Sequence, residues 1–378
     1  MRVKLGEVFD LQMGKTPARN NPDYWNGDNA WVSISDLGNA EKYIDRTKEK
    51  ITDKGVKESG IKIVPKGTVI MSFKLSIGKT AITAGDMYTN EAIMAFLDKK
   101  VCEIDTDYLY HLFSGFDWSA GTNKAVMGLT LNKATLSKKE IPLPPITEQR
   151  RIAAVLDKVC ELISLRHKQL ERLDLMVKAR FVEMFGDPVN NERNWKMNTF
   201  GDICTVRQGL QIPISKRLID LEENCYEYIT VAYLNGGKEK EYIKNPKRNV
   251  ICTEDDILMT RTGNTGLVIT GVSGVFHNNF FLIDFDRSLY NKVFLYFYLN
   301  LRYIQSDIIR RAGVSTIPDL NHSEFYKIIV YDPPIKLQER FADFVTEIDK
   351  LKLPIRRSLD TLEVLKKSLM QEYFGQGV

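Results

Sequence analysis

The residues that could carry out chemistry are few, and their spacing argues against catalysis. Residues 21–24 (Asn-Pro-Asp-Tyr) and 332–335 (Asp-Pro-Pro-Ile) approach the Asp/Asn-Pro-Pro-aromatic motif of amino-methyltransferases. The first lacks the second proline, and the second lacks the aromatic residue that would stack on a flipped base. Residues 263–266 (Gly-Asn-Thr-Gly) are too few for the glycine-rich turn of a nucleotide-binding site. The sequence therefore predicts a chain without catalytic residues and without a cofactor of its own.

Cysteine and histidine are also poorly placed for a metal site. The five cysteines are scattered without a Cys-x-x-Cys pair, and the four histidines have no partner at metal-ligand or triad spacing. We therefore expect no metal, and reduced thiols typical of the cytoplasm. The N-terminus has no apolar segment long enough for a signal peptide, and no run of residues approaches a membrane span. These features predict a cytoplasmic protein that does not contact a membrane.

A long internal repeat sets the domain organisation. Residues 144–146 (Pro-Pro-Ile) followed by Gln149 return at 333–335 followed by Gln338, an offset of 189 residues. Further upstream the offset drifts, because Gly78 pairs with Gly266 at 188 and Gly14 with Gly209 at 195. A period this long is not that of a solenoid, which needs short units. The repeat instead indicates a duplicated domain with its connector, and hence two similar readers for a ligand of two parts.

Each globular half is predicted to be a mixed α/β domain. Short apolar runs bounded by glycine, proline or charged residues are typical of strands, and longer amphipathic stretches are typical of helices. The strand candidates are 61–65, 68–72, 92–97, 226–231, 256–260 and 280–285, and the helix candidates are 108–116 and 293–302.

Two long helices are predicted, one after each domain. Apolar residues recur at a spacing of seven over 148–185 and again over 338–374, where Pro354 predicts a kink or a short break. Each helix would be about 55 Å long at 1.5 Å per residue. The apolar heptad face of each helix must be buried against the other helix or against a partner. Antiparallel pairing of the two helices follows if a pseudo-twofold axis relates the repeats. The heptad positions are Leu156, Ile163, Leu170, Val177 and Met184, then Phe341, Ile348, Ile355, Leu362 and Leu369.

The opening of the chain resembles a known family. Residues 14–17 (Gly-Lys-Thr-Pro), 24–28 (Tyr-Trp-Asn-Gly-Asp) and 36–37 (Asp-Leu), with Arg19 and Trp31, resemble the start of target recognition domains in specificity subunits of type I restriction–modification systems. The Pro-Pro-Ile-x-x-Gln segment before each long helix resembles the connector of that family. The second domain departs from the opening pattern, since no Tyr-Trp-x-Gly-Asp follows Gly209. Within the family, such divergence would mean that the two domains read different half-sites.

This resemblance implies an α+β protein with two target recognition domains, 1–145 and 187–334, and two connector helices, 146–186 and 335–378, packed as an antiparallel coiled coil. It implies that each domain reads one half of a bipartite, asymmetric site in double-stranded DNA, while the helices set the gap. It also implies assembly with two methyltransferase subunits, which would bind S-adenosylmethionine, and with restriction subunits in the full complex.

Candidate DNA contacts are basic or amide side chains in loops that contain glycine. Such loops let the backbone approach phosphates, while Arg, Asn and Gln can reach base edges. The Lys74–Lys79 and Arg261–Gly266 loops occupy equivalent places in the two repeats. The candidates are Lys15, Arg19, Lys74, Lys79, Asn123 and Lys124 in the first half, and Arg207, Gln211, Arg261, Asn264, Arg310 and Arg311 in the second.

The overall charge leaves a second interpretation open. The formal net charge of +4 is too small to indicate a polyanionic partner by itself. A duplicated coiled-coil scaffold whose domains bind protein would have the same composition. Salt-sensitive binding to DNA distinguishes the two hypotheses, because a scaffold releases no counterions from DNA.

Overall fold

The structure is a computed structural model that describes residues 1–74, 76–118, 131–234, 236, 239–313 and 318–375. The chain forms two compact units. Unit 1 comprises Met1–His167 and Arg357–Val378, and unit 2 comprises Lys168–Arg356. Each unit therefore combines one globular part with a segment of both long helices.

Unit 1 is built around a five-stranded sheet with the order β2-β9-β6-β7-β4, beside a three-stranded sheet with the order β5-β3-β8. Strand β1 pairs with β10, which joins the two ends of the globular part. The strands are β1 (Arg2–Lys4), β2 (Phe9–Met13), β3 (Trp25–Val32), β4 (Tyr43–Ile44), β5 (Glu49–Ile51), β6 (Val69–Ser72), β7 (Thr80–Thr83), β8 (Tyr88–Thr89), β9 (Ile93–Asp98) and β10 (Glu140–Pro142). The helices are α1 (Leu5–Val8), α2 (Ile34–Asn39), α3 (Asp53–Ser59), α4 (Thr106–Gly115), α5 (Lys133–Lys138) and α6 (Ile146–Phe185), with a 3-10 turn at Pro22–Tyr24.

Unit 2 repeats this plan with two four-stranded sheets, in the orders β12-β19-β16-β17 and β14-β13-β18-β15, and with the pair β11-β20. The strands are β11 (Met197–Thr199), β12 (Cys204–Gln208), β13 (Cys225–Ile229), β14 (Tyr242–Lys244), β15 (Ile251–Cys252), β16 (Ile257–Thr260), β17 (Val268–Ile269), β18 (Gly274–Phe276), β19 (Phe280–Phe285) and β20 (Ile329–Tyr331). The helices are α7 (Phe200–Ile203), α8 (Val231–Leu234), α9 (Lys292–Leu299), α10 (Arg302–Ala312), α11 (His322–Tyr326) and α12 (Ile335–Phe374), with 3-10 turns at Ile214–Lys216 and Arg248–Val250.

The first three residues of β6 and of β16 are apolar because both faces of these strands are buried. In β6, Val69 and Met71 face the cluster that includes α4, while Ile70 faces the cluster shared with the smaller sheet. In β16, Met259 and Leu258 divide between two clusters in the same way. Successive residues of a strand point to opposite faces, so a strand covered on both sides has no polar alternation.

The two long helices pack against each other in antiparallel orientation within each unit. In unit 1, Arg166 Nε donates to Ser358 Oγ at 3.1 Å, and the Arg151 guanidinium lies 5.7 Å from the Tyr373 ring. Earlier residues of α6 thus contact later residues of α12, as in an antiparallel pair. The predicted antiparallel pairing is confirmed for this unit.

Unit 2 shows the same orientation with a more apolar seam. Lys352 Nζ lies 2.7 Å from Asp174 Oδ1, and the rings of Phe181 and Phe341 meet edge to face at 5.2 Å. Val177 and Phe341 are fully buried, as expected from the heptad pattern. The predicted α+β class with an antiparallel helix pair is therefore confirmed.

One local expectation was wrong. Residues 61–65 form no strand, and only Val64 makes an isolated bridge, to Met87. Of the kink or short break expected at Pro354, the break is absent, because α12 continues from Ile335 to Phe374 with Pro354 inside it. Proline removes one backbone donor, and the exposed position of this ring lets the helix continue along its packed face.

The repeated Gln149 explains part of the Pro-Pro-Ile-x-x-Gln motif. Its side chain is buried in the first turn of α6, where Oε1 accepts a hydrogen bond from the Asp105 backbone N–H at 2.9 Å. Its Nε2 donates to the carbonyl oxygens of Pro144 at 2.9 Å and Glu103 at 3.2 Å. Asp105 is the N-cap of α4, so this one amide fixes the start of α6 to the start of α4.

Gln338 makes the same set of bonds in unit 2. Its Oε1 accepts from the Asn291 backbone N–H at 2.8 Å, and its Nε2 donates to the carbonyls of Pro333 at 2.8 Å and Leu289 at 3.0 Å. Asn291 is the N-cap of α9. The motif therefore encodes a junction between connector helix and globular part that occurs once in each unit.

Candidate nucleic-acid interface

Each unit presents two loops on either side of the start of its central strand. In unit 1, β2 and β6 both end beside the first residues of β9, where Met13 pairs with Met94 and Ser72 with Ile93. In unit 2, Gln208 pairs with Phe281 on β19, and Thr260 pairs with Phe280 on the same strand. The loops that follow these strand ends hold most of the predicted DNA contacts.

The first loop of each pair begins at a glycine that no other residue can replace. A Cβ atom on Gly14 would lie 2.1 Å from the Thr89 carbonyl oxygen, and one on Gly209 would lie 2.2 Å from the His277 carbonyl oxygen. Both obstacles are backbone atoms that cannot move aside. The repeated glycines thus mark a close crossing of two chain segments in each unit.

The second loop, β6–β7 in unit 1, is held by a single hydroxyl group. Ser72 Oγ donates to the Ser76 carbonyl and accepts from the Lys79 backbone N–H at 3.1 Å. Gly78 adopts a left-handed backbone with φ of +88° and donates to the Ser72 carbonyl at 2.9 Å.

The β16–β17 loop of unit 2 has the same hydrogen-bond pattern. Thr260 Oγ1 donates to the Asn264 carbonyl and accepts from the Leu267 backbone N–H at 2.9 Å. Gly266 has φ of +88° and donates to the Thr260 carbonyl at 2.9 Å. The two loops therefore share one backbone framework, and they differ in the side chains that the framework presents.

In unit 1, Arg19 is engaged within its own domain. Its guanidinium pairs with both carboxylate oxygens of Glu49 and lies 4.0 Å from the Trp25 ring and 4.9 Å from the buried Trp31 ring. Stacking and bidentate pairing hold an arginine in one place. Contact of Arg19 with DNA stays a prediction, and its side chain remains 52% exposed beside Glu49.

Three further candidates of unit 1 lie in the two loops. Lys15 Nζ donates to the Ser59 carbonyl, Lys74 Nζ lies 5.3 Å from the Phe73 ring, and the Lys79 ammonium lies against Gly38. Asn123 and Lys124 lie outside the residues that the structure describes.

In unit 2, the Arg261 guanidinium makes three side-chain hydrogen bonds. Its Nε and Nη2 donate to the two carboxylate oxygens of Asp319 at 2.9 and 2.8 Å, and its Nη1 donates to Gln208 Oε1 at 3.2 Å. Gln208 Oε1 also lies 2.9 Å from His322 Nε2. The side chain of Asn264 is exposed at the tip of the same loop.

Two arginines at the end of α10 lie near the Arg261 cluster, which consists of Arg261, Asp319, Gln208 and His322. The Ala312 carbonyl, in the last turn of that helix, accepts from the Asp319 backbone N–H at 3.2 Å. Arg310 and Arg311 both pair with Asp307, whose pKa they hold below its usual value although burial acts in the opposite direction. The Arg310 side chain remains 70% exposed, whereas that of Arg311 is only 18% exposed. Arg310 is thus the more accessible of the two.

Two candidates of unit 2, Arg207 and Gln211, lie outside the Arg261 cluster. Arg207 and Gln208 are adjacent on β12 and therefore point to opposite faces of the strand. Arg207 Nη1 donates to the Asn249 carbonyl at 3.1 Å, away from Arg261. Gln211 is exposed and makes no side-chain hydrogen bond within the described residues.

Sequence reasoning missed Gln208, Asp319 and His322. A partial signal existed, because Gln208 precedes the repeated Gly209, and His322 follows the repeated Leu320-Asn321 pair. Nothing in the sequence indicates that Asp319 meets Arg261, since 58 residues separate them.

A partly exposed ionic cluster in unit 1 is not repeated at the position equivalent to His111 in unit 2. Asp157 on α6 pairs with Lys42 and lies 2.7 Å from His111, while Lys42 also pairs with Asp107. Burial lowers the pKa of His111, although its bond to Asp157 acts the other way. Counting from the helix N-caps, the residue equivalent to His111 is Phe297. The cluster therefore attaches the globular part of unit 1 to α6, and it lies outside the loops.

The described part of the chain holds no group of His, Cys, Asp and Glu residues suited to a metal ion. Among the same residues, no helix is long and apolar enough to cross a membrane.

Comparison with known proteins identifies the family. The protein-family model described as "Type I restriction modification DNA specificity domain" matches residues 1–175 and again residues 192–363. The chain therefore belongs to this family and contains its domain twice. The function is sequence-specific DNA recognition as a non-catalytic subunit, as the resemblance implied.

Individual relatives support the same conclusion. The chain is 26% identical over 406 residues to the type I restriction enzyme MjaIX specificity subunit of Methanocaldococcus jannaschii, with 99% of this chain and 92% of the relative covered. It is 28% identical over 186 residues to the EcoR124I/EcoR124II specificity subunit of Escherichia coli, with 44% and 45% covered. Among solved structures, the S subunit of the type I restriction-modification system from M. genitalium has a similar fold, with a TM-score of 0.57, 17% identity, and 99% and 96% covered.

Proposed function

We propose that each globular part reads one half of a bipartite, asymmetric DNA site, and that the paired helices α6 and α12 set the unread gap between the halves. One observation carries this proposal: the β6–β7 and β16–β17 loops share one hydrogen-bond framework but present different side chains. A shared framework with different presented groups is what two readers of unlike half-sites require. The presented residues are Lys74 and Lys79 in unit 1, and Arg261 and Asn264 in unit 2.

The chain would act in the cytoplasm together with two methyltransferase subunits, which would hold the S-adenosylmethionine, and with restriction subunits in the full complex. Two equivalent apolar surfaces support a pair of identical partners. Leu175 and Met176 on α6 are exposed in unit 2, and Val364 and Leu365 on α12, at the repeat offset of 189, are exposed in unit 1. Exposed apolar surface on a helix is typical of a docking site for another protein.

A cavity in unit 2 offers a further apolar surface beside the helix pair. It has a volume of about 720 Å³ and is lined by Phe181 on α6, Tyr296 and Phe297 on α9, and Val345 and Lys352 on α12. An amphipathic helix of a methyltransferase subunit is the occupant that we propose for this surface.

Salt dependence of DNA binding tests the proposal against a protein-binding scaffold. For a DNA reader, the logarithm of the association constant should fall linearly with the logarithm of salt concentration, by about 0.9 for each phosphate contacted. Replacing Lys74 and Lys79 together with alanine should reduce this slope by about one for each phosphate that the variant no longer neutralises. Replacing Lys158 and Lys350 together with alanine, which removes one exposed lysine from each long helix, is the matched control and should leave the slope unchanged.

Fluorescence anisotropy of a labelled duplex, titrated with the full chain at several salt concentrations, provides the measurement. Binding to DNA that is absent, or that does not respond to salt, would support the scaffold instead.

A further inference from the structure

Arg261 is held by three hydrogen bonds to two side chains, while part of its guanidinium stays accessible. The bidentate pair with Asp319 fixes one edge of the planar group, and Gln208 Oε1 accepts from Nη1. The side chain is nevertheless 26% exposed. This arrangement fixes the direction of the side chain and leaves it able to contact a ligand.

Gln208 can hold the Arg261 guanidinium in place because the orientation of its own amide group is fixed. Its Nε2 donates to the carbonyl oxygens of Asn278 and, at 3.4 Å, Phe280, so its Oε1 must face Arg261. His322 Nε2 lies 2.9 Å from the same oxygen and must carry a proton to donate to it. The His322 ring packs edge to face on Phe281 at 5.4 Å, which holds the imidazole in place.

The backbone around Arg261 is fixed as well. Its N–H donates to the Asn279 carbonyl at 2.7 Å, and its carbonyl accepts from the Leu320 N–H at 2.9 Å. Thr265 Oγ1 donates to the Pro318 carbonyl at 2.8 Å, which attaches the segment carrying Asp319 to the loop. Both partners of the ion pair are therefore held in position before any ligand binds.

The donors that remain on Arg261 match one base. A guanidinium has five N–H groups, and three of them bond Asp319 and Gln208. One N–H on each terminal nitrogen has no acceptor among the described residues. Donors on the two terminal nitrogens of an arginine can bond O6 and N7 of guanine in the major groove, which is the commonest specific contact of arginine with DNA.

Charge also favours a base over a phosphate. Asp319 neutralises Arg261, so the pair adds little to the attraction for the DNA backbone. A carboxylate beside the guanidinium would repel a phosphate, whereas the uncharged guanine edge would not be repelled.

The network is not required for the loop to fold. Unit 1 forms the same loop, with the same bonds to Ser72 and the same left-handed Gly78, although Phe73 stands where unit 2 has Arg261. Met13 stands where unit 2 has Gln208, since the β2–β9 and β12–β19 pairings correspond. A partly exposed ion pair also contributes little stability. The cluster is thus an addition specific to unit 2.

We propose that Arg261 reads a guanine in the half-site of unit 2, and that Asp319, Gln208 and His322 are positioning residues that aim its guanidinium. This inference rests on the proposed function of unit 2 as a DNA reader. It adds the base that is read and the residues that act through Arg261.

Selection of binding sites from a randomised double-stranded DNA library by the full chain tests the proposal. Arg261→Lys keeps the charge but loses the paired donors, and it should reduce the preference for guanine at one position roughly 5- to 150-fold. Asp319→Asn should reduce the same preference, while affinity for random DNA stays equal or rises because a negative charge is lost. Gln208→Met, the residue that unit 1 has at the equivalent place, should have a smaller effect at the same position.

Asp256→Asn is the matched control. Asp256 pairs with Arg287 at 3.0 Å, just before the first residue of β16, whereas Arg261 follows its last residue. The substitution removes the same charge from another aspartate–arginine pair of unit 2, and it should leave every base preference unchanged. Melting temperatures of all variants report whether a change in preference comes from loss of folding, and Gln208→Met provides a variant with a side chain that this loop already tolerates in unit 1.

The outcomes separate the parts of the account. If Asp319→Asn raises affinity for all DNA but keeps the guanine preference, Asp319 only neutralises charge and the positioning role is overturned. If the wild-type chain selects a site but Arg261→Lys leaves that site unchanged, Arg261 reads no base. A wild-type chain that selects no sequence at all would instead overturn the proposed function.

Discussion

Replacing Gln338 with leucine should lower the free energy of unfolding by about 3 kcal/mol or more. The side chain is fully buried and makes three hydrogen bonds, to Asn291, Pro333 and Leu289. Leucine has a similar volume but no polar atoms, so the Pro333 carbonyl would be left buried without this partner, and the part-buried Asn291 N–H and Leu289 carbonyl would also lose it. Each buried group without a partner costs about 1–3 kcal/mol.

Urea denaturation measures the loss, and hydrogen exchange at the Asn291 amide locates it. Gln371→Leu on the same helix replaces an exposed glutamine and should change the free energy of unfolding by less than about 0.5 kcal/mol. A loss below about 1 kcal/mol for Gln338→Leu, with the Asn291 amide still protected, would show that the Pro-Pro-Ile-x-x-Gln junction is not held as described.

Lengthening both long helices by seven residues should change the gap between half-sites and nothing else. Seven residues preserve the heptad pattern and add about 10 Å of helix. DNA rises by about 3.4 Å for each base pair, so the gap should grow by roughly three base pairs. The insertions belong after His167 in α6 and before Arg357 in α12, where the two compact units meet along the chain.

Methylated-motif mapping in cells that co-express the methyltransferase subunit is the measurement. A seven-residue insertion in α6 alone would mismatch the antiparallel pair and should abolish methylation. A change in the bases of either half-site on lengthening both helices would contradict a role of the helices as spacers.

The sequence predicted those features that depend on local or periodic patterns. The heptads gave α6 and α12, and the repeated Gly78 and Gly266 marked equivalent loops because both need a left-handed backbone. Strands buried on both faces, such as β6 and β16, were found as short apolar runs. The strand predicted for residues 61–65 was wrong, because an apolar run can also pack as a loop.

The details of the site could not be predicted, because they depend on residues that are distant in the chain. Arg19 and Arg261 were equally good candidates by type and position, yet Arg19 stacks on Trp25 and pairs with Glu49 inside unit 1. Arg261 instead meets Asp319 beside the exposed tip of its loop. Only the folded arrangement shows which acidic and aromatic side chains each arginine contacts.

The central claim is that two unlike readers lie on one chain, and the methylation pattern of the wild-type protein tests it most directly. Sequencing that detects modified bases, in cells expressing this chain with its methyltransferase subunit, should find one motif of two unlike specific parts separated by a gap of fixed length and any sequence. A single uninterrupted motif, or methylation without sequence preference, would contradict the account.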